Sequence, residues 1–504
     1  ALLIESSRRA PSYASRIQNR LHPLFLPEGA APTLINADPE SELLRRKRAG
    51  TTNHITYTPP TPEHSTSMTL ADDAGISIRK AGVPTVVTFV DGSYGNRIFE
   101  GATQKETIPG DASVGTAFIE SELYLFRLSA TQVVYWDYSA SGWVVDGTTN
   151  TDFPLTTRGI WLSQRRMLAF KNEKLYYSSS QDALTWARST DYAVFGQADA
   201  QGGIQAIIEW KTHQVLVFLI NKVLLLDVSN PTPSLWQART LIDGVGTRAN
   251  DVLRVGDDIY FVHGTGLYSV NAILSAGRPI NLAEEVMTDF VTFSDADSNS
   301  VAMVYFYNTI YFAYRGTGTF MMCYNVKTKR WVRFNFPTGS SERIWGFTIT
   351  PTSQLQMTPK LIAFVSNVSG GIRAVEIGNF TNTSDWDAAA FMYREETHAL
   401  LFGHPENRKR AQWLHIHYLR EAAGSLAIAY QVDEDTTWTA IQGSPLDLTS
   451  GSSTTNALVV AKFNIQGIPS FYSLRFRFTE ESAAVVQLVQ WVCAAYVDNF
   501  EGSS

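Results

Sequence analysis

The stretch Tyr176–Val270 decides the fold. It opens with Tyr176-Tyr177-Ser178-Ser179-Ser180-Gln181-Asp182-Ala183-Leu184-Thr185-Trp186, passes through QVLVFLINKVLLLDV (214–228) and ends with DVLRVGDDIYFVHGTGLYSV (251–270). Each part is a pair of apolar, β-branched or aromatic runs joined by a polar turn of the Asn-Lys, Asp-Asp or His-Gly-Thr-Gly kind. That is the grammar of consecutive β-hairpins. No catalytic motif lies inside the stretch, so it speaks to architecture before chemistry.

Outward from this stretch the same texture continues from Gly75 to about Asn379. Tryptophans close successive units at Trp143, Trp186, Trp236 and Trp331, spaced by about 45 residues or twice that. Such a recurrence, with four short strands per unit, predicts propeller blades. A lone blade leaves both faces wet, whereas blades stacked around an axis bury them and keep only short edges. The tryptophans are then expected to pack between blades. The unit Val252–Val270 lacks a closing Trp, and its last strand is expected near Pro279–Leu282. Val83–Glu100 is expected to supply a further or closing blade, and Trp345–Phe347, Leu361–Ser366 and Ile372–Ile377 one more. The total is six or seven.

Two other textures flank this region. Residues 1–73 are punctuated by Pro11, Pro23, Pro27, Pro32, Pro39, Pro59, Pro60 and Pro62 and hold no steady period. They read as an extended arm that packs on something else, such as a neighbouring subunit, with Arg45–Arg48 as a solvated patch or a contact to an acidic surface or nucleic acid. Beyond residue 381, the runs at Ala411–Tyr418, Ser425–Gln431, Ala457–Phe463, Ser473–Phe478 and Ala483–Val497 predict an antiparallel β-sandwich. Arg408-Lys409-Arg410 reads as its solvated lead-in loop. The expected architecture is all-β: an arm over 1–73, a β-propeller over 74–380 and a β-sandwich over 381–504.

Composition narrows the function classes. The chain has 504 residues, 44% hydrophobic and 12% aromatic, and a formal net charge of −7. That charge argues against a conventional nucleic-acid binder, which needs a basic face, but suits a wall that nucleic acid slides past. Cys323 and Cys493 lie among apolar residues and read as two buried thiols. The start of the chain shows no signal-peptide pattern, and Val215–Val228 is interrupted by Asn221-Lys222 and is too short to span a membrane. The sequons at Asn367, Asn379 and Asn382 weigh little without a secretory signal. Synthesis in a reducing compartment is expected.

The residues that could carry chemistry are few. His415 and His417 share one strand face, as metal ligands could, but no third ligand is near them in sequence. Asp433, Glu434 and Asp435 precede Thr436-Thr437-Trp438, and Gln431-x-Asp433-x-Asp435-x-Thr437-Trp438 approximates the Asp-box of sialidase-like propellers. Ser180–Trp186 is a second approximation, one residue short. Asp-boxes are turn-stabilising hairpins, so both read as structural, and Arg97-Ile98-Phe99 lacks the Pro of a sialidase Arg-Ile-Pro. Phosphate-loop, Gly-x-Ser-x-Gly and His-Glu-x-x-His patterns are missing. The expectation is a non-enzyme with no catalytic, cofactor or metal site.

Over Leu175–Phe336 the order of hairpins resembles the tail hub, or nozzle, proteins of short-tailed bacteriophages, the packaged-DNA-stabilisation family. The matching segments are Tyr177–Trp186, Ile204–Phe218, Val223–Trp236, Gly246–Val262, Gly266–Val270 and the closing strand Tyr324–Trp331. The chain departs from that pattern at Asn250-Asp251 and carries Asn325 where the closing strand has Asp. The resemblance implies a virion protein made in the host cytoplasm. It would form a homohexameric ring below the head-to-tail connector, hold packaged double-stranded DNA and conduct it without sequence specificity during ejection. Its implied partners are further copies of itself, connector or adaptor proteins and other tail proteins. A ring of this kind needs heterologous side-to-side contacts, for which the arm and the sandwich are candidates. The alternative from the carboxylates is a glycan-binding or glycan-hydrolysing propeller that recognises a receptor. An ordinary cellular propeller scaffold is a third reading.

Overall fold

A computed structural model describes residues 3–9, 16–17, 30–31, 33–35, 45–46, 50–57, 68–80, 83–92, 96–100, 103–108, 118–120, 124–128, 133–137, 143–146, 152–154, 158–195, 203–247, 252–264, 266–286, 301–314, 320–335, 343–350, 358–366, 372–379, 392–402, 407–433, 435–482 and 486–497. Among these residues, seven groups of antiparallel strands follow one another along the chain, six as small separate sheets and one, the sixth in order, as part of a ten-stranded sheet. Blade 1 comprises Met68–Lys80, Val83–Gly92, Asn96–Glu100 and Thr103–Ile108. Blade 2 runs from Phe118–Glu120 to Trp143–Asp146, blade 3 from Gly159–Leu162 to Tyr192–Val194, and blade 4 from Ala206–Lys211 to Gln237–Asp243. Blade 5 holds Val252–Val255, Asp258–His263 and Gly266–Ser269; blade 6 runs from Val301–Phe306 to Arg330–Asn335. Blade 7 holds Arg343–Ile349, Leu361–Ser366 and Ile372–Asn379.

The first strand of each blade lies beside the first strand of the next, and Arg343–Ile349 of blade 7 returns to Met68–Lys80 of blade 1. That closed cycle of neighbours is a seven-bladed β-propeller. Packing follows from the burial of middle strands on both faces: Arg166–Lys171 and Gln214–Phe218 carry nearly continuous buried runs, including Met167, Leu168, Ala169, Val215, Leu216, Val217 and Phe218. Alternate side chains of one strand serve the two neighbouring blades. Leu216 and Phe218 join a core with Ile259 and Phe261 of blade 5, whereas Val215 and Val217 join one with Leu168 and Phe170 of blade 3.

Blade 5 departs from the expected fourth strand. Ser269 is extended and its hydroxyl accepts from the Ala272 amide, which starts a short helix, Val270–Ala276, ended by Gly277 at φ 66°. A left-handed residue is readily supplied by glycine. Near the expected strand at Pro279–Leu282, the Leu282 amide donates to the Leu267 carbonyl, a single bond in place of a ladder.

The described strands before residue 68 pair with later parts of the chain, which corrects the reading of residues 1–73 as an arm packed on something else. Gly50–Tyr57 pairs antiparallel with Ile372–Asn379 as the fourth strand of blade 7, so chain segments from both sides of the propeller close that blade. Leu3–Arg9 pairs with Gln490–Tyr496, and Arg45–Arg46 pairs with Gln487–Leu488. Arg45 and Arg46 are therefore strand residues, whereas Arg48 lies outside the described residues. Thr33–Ile35 lies between blade 6 and the sandwich, parallel to Arg330–Asn335 through Ile35 and Arg333, and antiparallel to Tyr393–Glu396. The boundary at residue 73 is thus not a boundary of the fold, and the first blade begins at Met68.

The C-terminal β-sandwich has one sheet of Leu3–Arg9, Gln487–Val497, Lys409–Leu419 and Leu458–Asn464, with Arg45–Arg46 against Gln487–Val497. Its second sheet runs Thr33–Ile35, Tyr393–Glu396, Leu474–Glu480 and Ser425–Val432, with Thr439–Ala440 at the far edge, and through Thr33–Ile35 it is continuous with blade 6. The sheets meet where Trp491 packs against Phe476 and Phe478, at ring distances of 6.1 and 6.3 Å. Lys409 corrects the expectation of a solvated lead-in loop. It begins a strand and is fully buried, its ammonium donating to the carbonyls of Asn407 at 2.7 Å and Tyr472 at 3.0 Å.

Candidate functional site

Four groups of residues stand out: the Tyr177–Trp186 turn, the carboxylates near Trp438, the histidine pair, and an arginine cluster that the sequence reading did not single out.

In the turn, polar atoms bind their own neighbours. Asp182 accepts from the Leu184 amide at 2.8 Å and from the Thr185 hydroxyl at 2.6 Å, and the Trp186 indole donates to the Ala183 carbonyl. This is an Asx-type turn that fixes the chain locally. Trp186 then packs on Phe153 and shares a core with Ile119, Phe126 and Val133 of blade 2. The buried Arg166 donates to the Ser178 carbonyl at 2.6 Å and to the Pro231 carbonyl of the blade 4 loop at 3.3 Å. Burial lowers the pKa of its guanidinium, which lies beside the paired Tyr177 and Trp236 rings at 5.7 and 5.9 Å. Trp210 likewise reaches from blade 4 to the Asp257 carbonyl ahead of the second strand of blade 5, and Trp331 donates to the Leu282 carbonyl. These tryptophans tie neighbouring units together, whereas Trp143 pairs with Trp136 inside blade 2. Asn325 accepts from the amides of Lys327 and Thr328, so it makes the same kind of turn.

The carboxylates near Trp438 are tied to loop donors. Asp433, at φ 49°, accepts from the amides of Tyr472 and Ser473 at 2.7 and 2.8 Å. Asp435 accepts from the Thr437 amide and hydroxyl; the amide bond is the leading cause of its lowered pKa. Glu434 lies outside the described residues. His415 and His417 do share a face, but their neighbours across the sheet are Lys462 and Val492 for His415, and Val460 and Gln490 for His417. His415 stacks on Trp413 at 4.1 Å. Among the described residues, no group of three or more His, Cys, Asp or Glu side chains gathers as a metal site would require. Cys323 and Cys493 are both buried, and burial pushes the Cys493 thiol up. Of the sequons, Asn379 ends a strand of blade 7, and Asn367 and Asn382 lie outside the described residues.

The arginine cluster lies on the outer face of the second sandwich sheet. Glu396, 8% exposed, receives Arg394 (Nε at 3.0 Å), Arg475 (Nη2 at 3.2 Å) and Arg477 (Nε and Nη2, each at 2.9 Å). Arg475 also donates to the Thr397 carbonyl and to Gln431 Oε1. The Trp438 ring covers Arg477 at 4.0 Å and Arg475 at 5.2 Å. Strand register assembles the group, because Glu396 faces Arg477 across the ladder and Gln431 faces Arg475. The signal in the sequence was the alternation Arg394-x-Glu396 and Arg475-x-Arg477, which puts like-facing charges on one side of a strand. Pairing Tyr393–Glu396 with Leu474–Glu480 across some eighty residues was the missing step.

No family model and no curated protein matches the chain. Among solved structures it is similar to PorZ, a surface component of the type-IX secretion system of Porphyromonas gingivalis, at 12% identity and TM-score 0.38 over 61% of this chain. The match spans 37% of the PorZ chain. A chain of a mitotic checkpoint complex is similar at 8% identity and TM-score 0.42, over 66% of this chain and 94% of the other. BBS1N, solved in complex with ARL6DN, is similar at 8% identity and TM-score 0.41, over 66% and 98%.

Proposed function

We propose that this protein is a structural subunit of a bacteriophage tail, akin to the hub or nozzle proteins, that assembles into a ring and conducts double-stranded DNA. The observation that carries the reading is the order of hairpins across Leu175–Phe336. Within that order the distinctive residues serve as mechanical fastenings. Asp182 and Asn325 hold turns, while Arg166, Trp210 and Trp236 bind one blade to the next. A second support is the join between propeller and sandwich. Thr33–Ile35 makes the sheet continuous from blade 6 to Ser425–Val432, so relative sliding of the two parts would break main-chain hydrogen bonds. A wall that carries pressurised DNA needs such stiffness. The formal charge of −7 is consistent with a surface that does not retain phosphates by counterion release.

The test is assembly of the purified full chain. Light scattering and negative-stain images over a concentration series are expected to show a closed ring with a central channel, and added connector components are expected to dock on one end. A chain that stays monomeric at high concentration, alone and with connector, overturns the proposal.

A further inference from the structure

We infer that Arg394, Arg477 and Thr479 form a binding subsite for an external oxyanion, the carboxylate or phosphate group of a small ligand, beside Trp438. Among the described residues, three guanidiniums converge on the single carboxylate of Glu396, which leaves two positive charges uncompensated within the group. Guanidiniums remain charged under ordinary conditions, so that excess is permanent. The side chains are 29%, 14% and 23% exposed for Arg394, Arg475 and Arg477, which keeps water from screening them fully. Burial lowers the pKa values of Arg475 and Arg477, a sign of the same strain between charge and surroundings.

The cluster also shows how it would take a ligand. Arg394 and Arg477 both present their Nε and Nη2 edge to Glu396 Oε1, so that the Nη1 group of each is turned from that oxygen. Arg475, by contrast, engages Nε, Nη1 and Nη2 with Thr397, Gln431 and Glu396 and acts as an anchor. Strand register sets what lies beside them. Arg394 faces Thr479, which faces Ala427, and Glu396 faces Arg477, which faces Ala429. Two alanines and a threonine leave the sheet surface low next to Arg477, and Ala427 is exposed. An oxyanion resting there meets guanidinium donors and the Thr479 hydroxyl, with Trp438 closing the side over Arg477. Glu396 is the internal counterpart of that ligand, a carboxylate already held by the same donors.

Calorimetric titration of the full chain at constant ionic strength tests the subsite with inorganic phosphate and, separately, glutarate, chloride serving as the balancing ion. One saturable site per chain is expected for at least one probe, and which probe binds more tightly assigns phosphate or carboxylate. Arg394→Gln and Arg477→Gln are each expected to weaken binding by about tenfold, and Glu396→Gln to strengthen it by about as much. Ala427→Glu, at an exposed position compatible with the fold, is expected to abolish binding by placing a carboxylate on the floor. The inference is overturned if neither probe binds both the natural chain and Glu396→Gln, or if Ala427→Glu binds as tightly as the natural chain. Ring assembly is a separate readout, so neither result depends on the proposed tail function.

Discussion

The propeller and the sandwich are both antiparallel and all-β, yet they are built by opposite rules. In blades 2, 3, 4 and 6 each strand pairs with the next strand in sequence. In the sandwich, Lys409–Leu419 pairs with both Leu458–Asn464 and Gln487–Val497, and the latter in turn pairs with Leu3–Arg9 from the other end of the chain. Local pairing closes small loops, whereas the sandwich must close very large ones before any ladder forms. The described amino-terminal strands are therefore the seam of the molecule. They complete blade 7, bridge blade 6 and extend the sandwich.

The largest effect is expected from removing that seam. Deleting residues 1–57 is expected to destabilise the sandwich and blade 7 by more than the ~5 kcal/mol upper end of a single core truncation, while blades 3 and 4 keep their local ladders. Hydrogen exchange mapped by peptide reads this directly. Unchanged protection in 372–379 and 487–497 would show that the seam is not paired as described.

Next in size are matched core truncations. Trp491→Ala in the sandwich and Phe218→Ala in the propeller are each expected to cost about 3–5 kcal/mol. Both side chains are buried, at 1% and 0% exposure. Because Thr33–Ile35 ties the two parts into one sheet, denaturation of each variant should shift a shared transition. Two well-separated transitions, each moved by only one substitution, would instead make the domains independent.

A smaller effect is expected at the blade 3–blade 4 contact. Arg166→Ala removes charged donors to the buried carbonyl of Ser178 and to Pro231, together with packing on Tyr177 and Trp236. The expected loss is about 1.5–3 kcal/mol, measured by urea denaturation, and a change inside experimental error would remove Arg166 from the fastenings.

The smallest effect is in acid. Asp447 has its pKa lowered first by the Thr449 amide and Asp435 by the Thr437 amide, against an ordinary value of 3.8. A depressed folded pKa contributes stability that is present above the ordinary value and lost as pH falls through the folded one. Asp447→Asn and Asp435→Asn should therefore each flatten the acid limb of a stability profile below pH 3.8 and leave the rest of the profile in place. An acid limb as steep as that of the natural chain would show that neither turn titrates in this way.

Much of the propeller was legible in the sequence because a hairpin writes its partner next to itself. Val215–Val217 and Leu224–Leu226 are separated by a turn of a few residues, so pairing needs no distant information. The helix at Val270–Ala276 was not legible, although Ser269 and Gly277 are its cap residues, because the expected four-strand unit ran on to a last strand near Pro279–Leu282 and made no place for a helix. The candidate chemistry was legible only in part. Asp182 was read as a turn residue and does form a turn, whereas Arg394, Glu396, Arg475 and Arg477 meet only because two distant strands adopt one register.

The sequence by itself therefore determined the succession of hairpins, the tryptophans that fasten them and the alternation that buries one side of each sandwich strand. These follow from side-chain period and turn chemistry, which act over a few residues. Tertiary structure alone decided the number of blades, the destination of the described strands between residues 3 and 57, and the convergence of three arginines on Glu396. Each of those depends on which of several exposed strand edges a distant segment covers, and edge backbone groups accept any strand that reaches them in register.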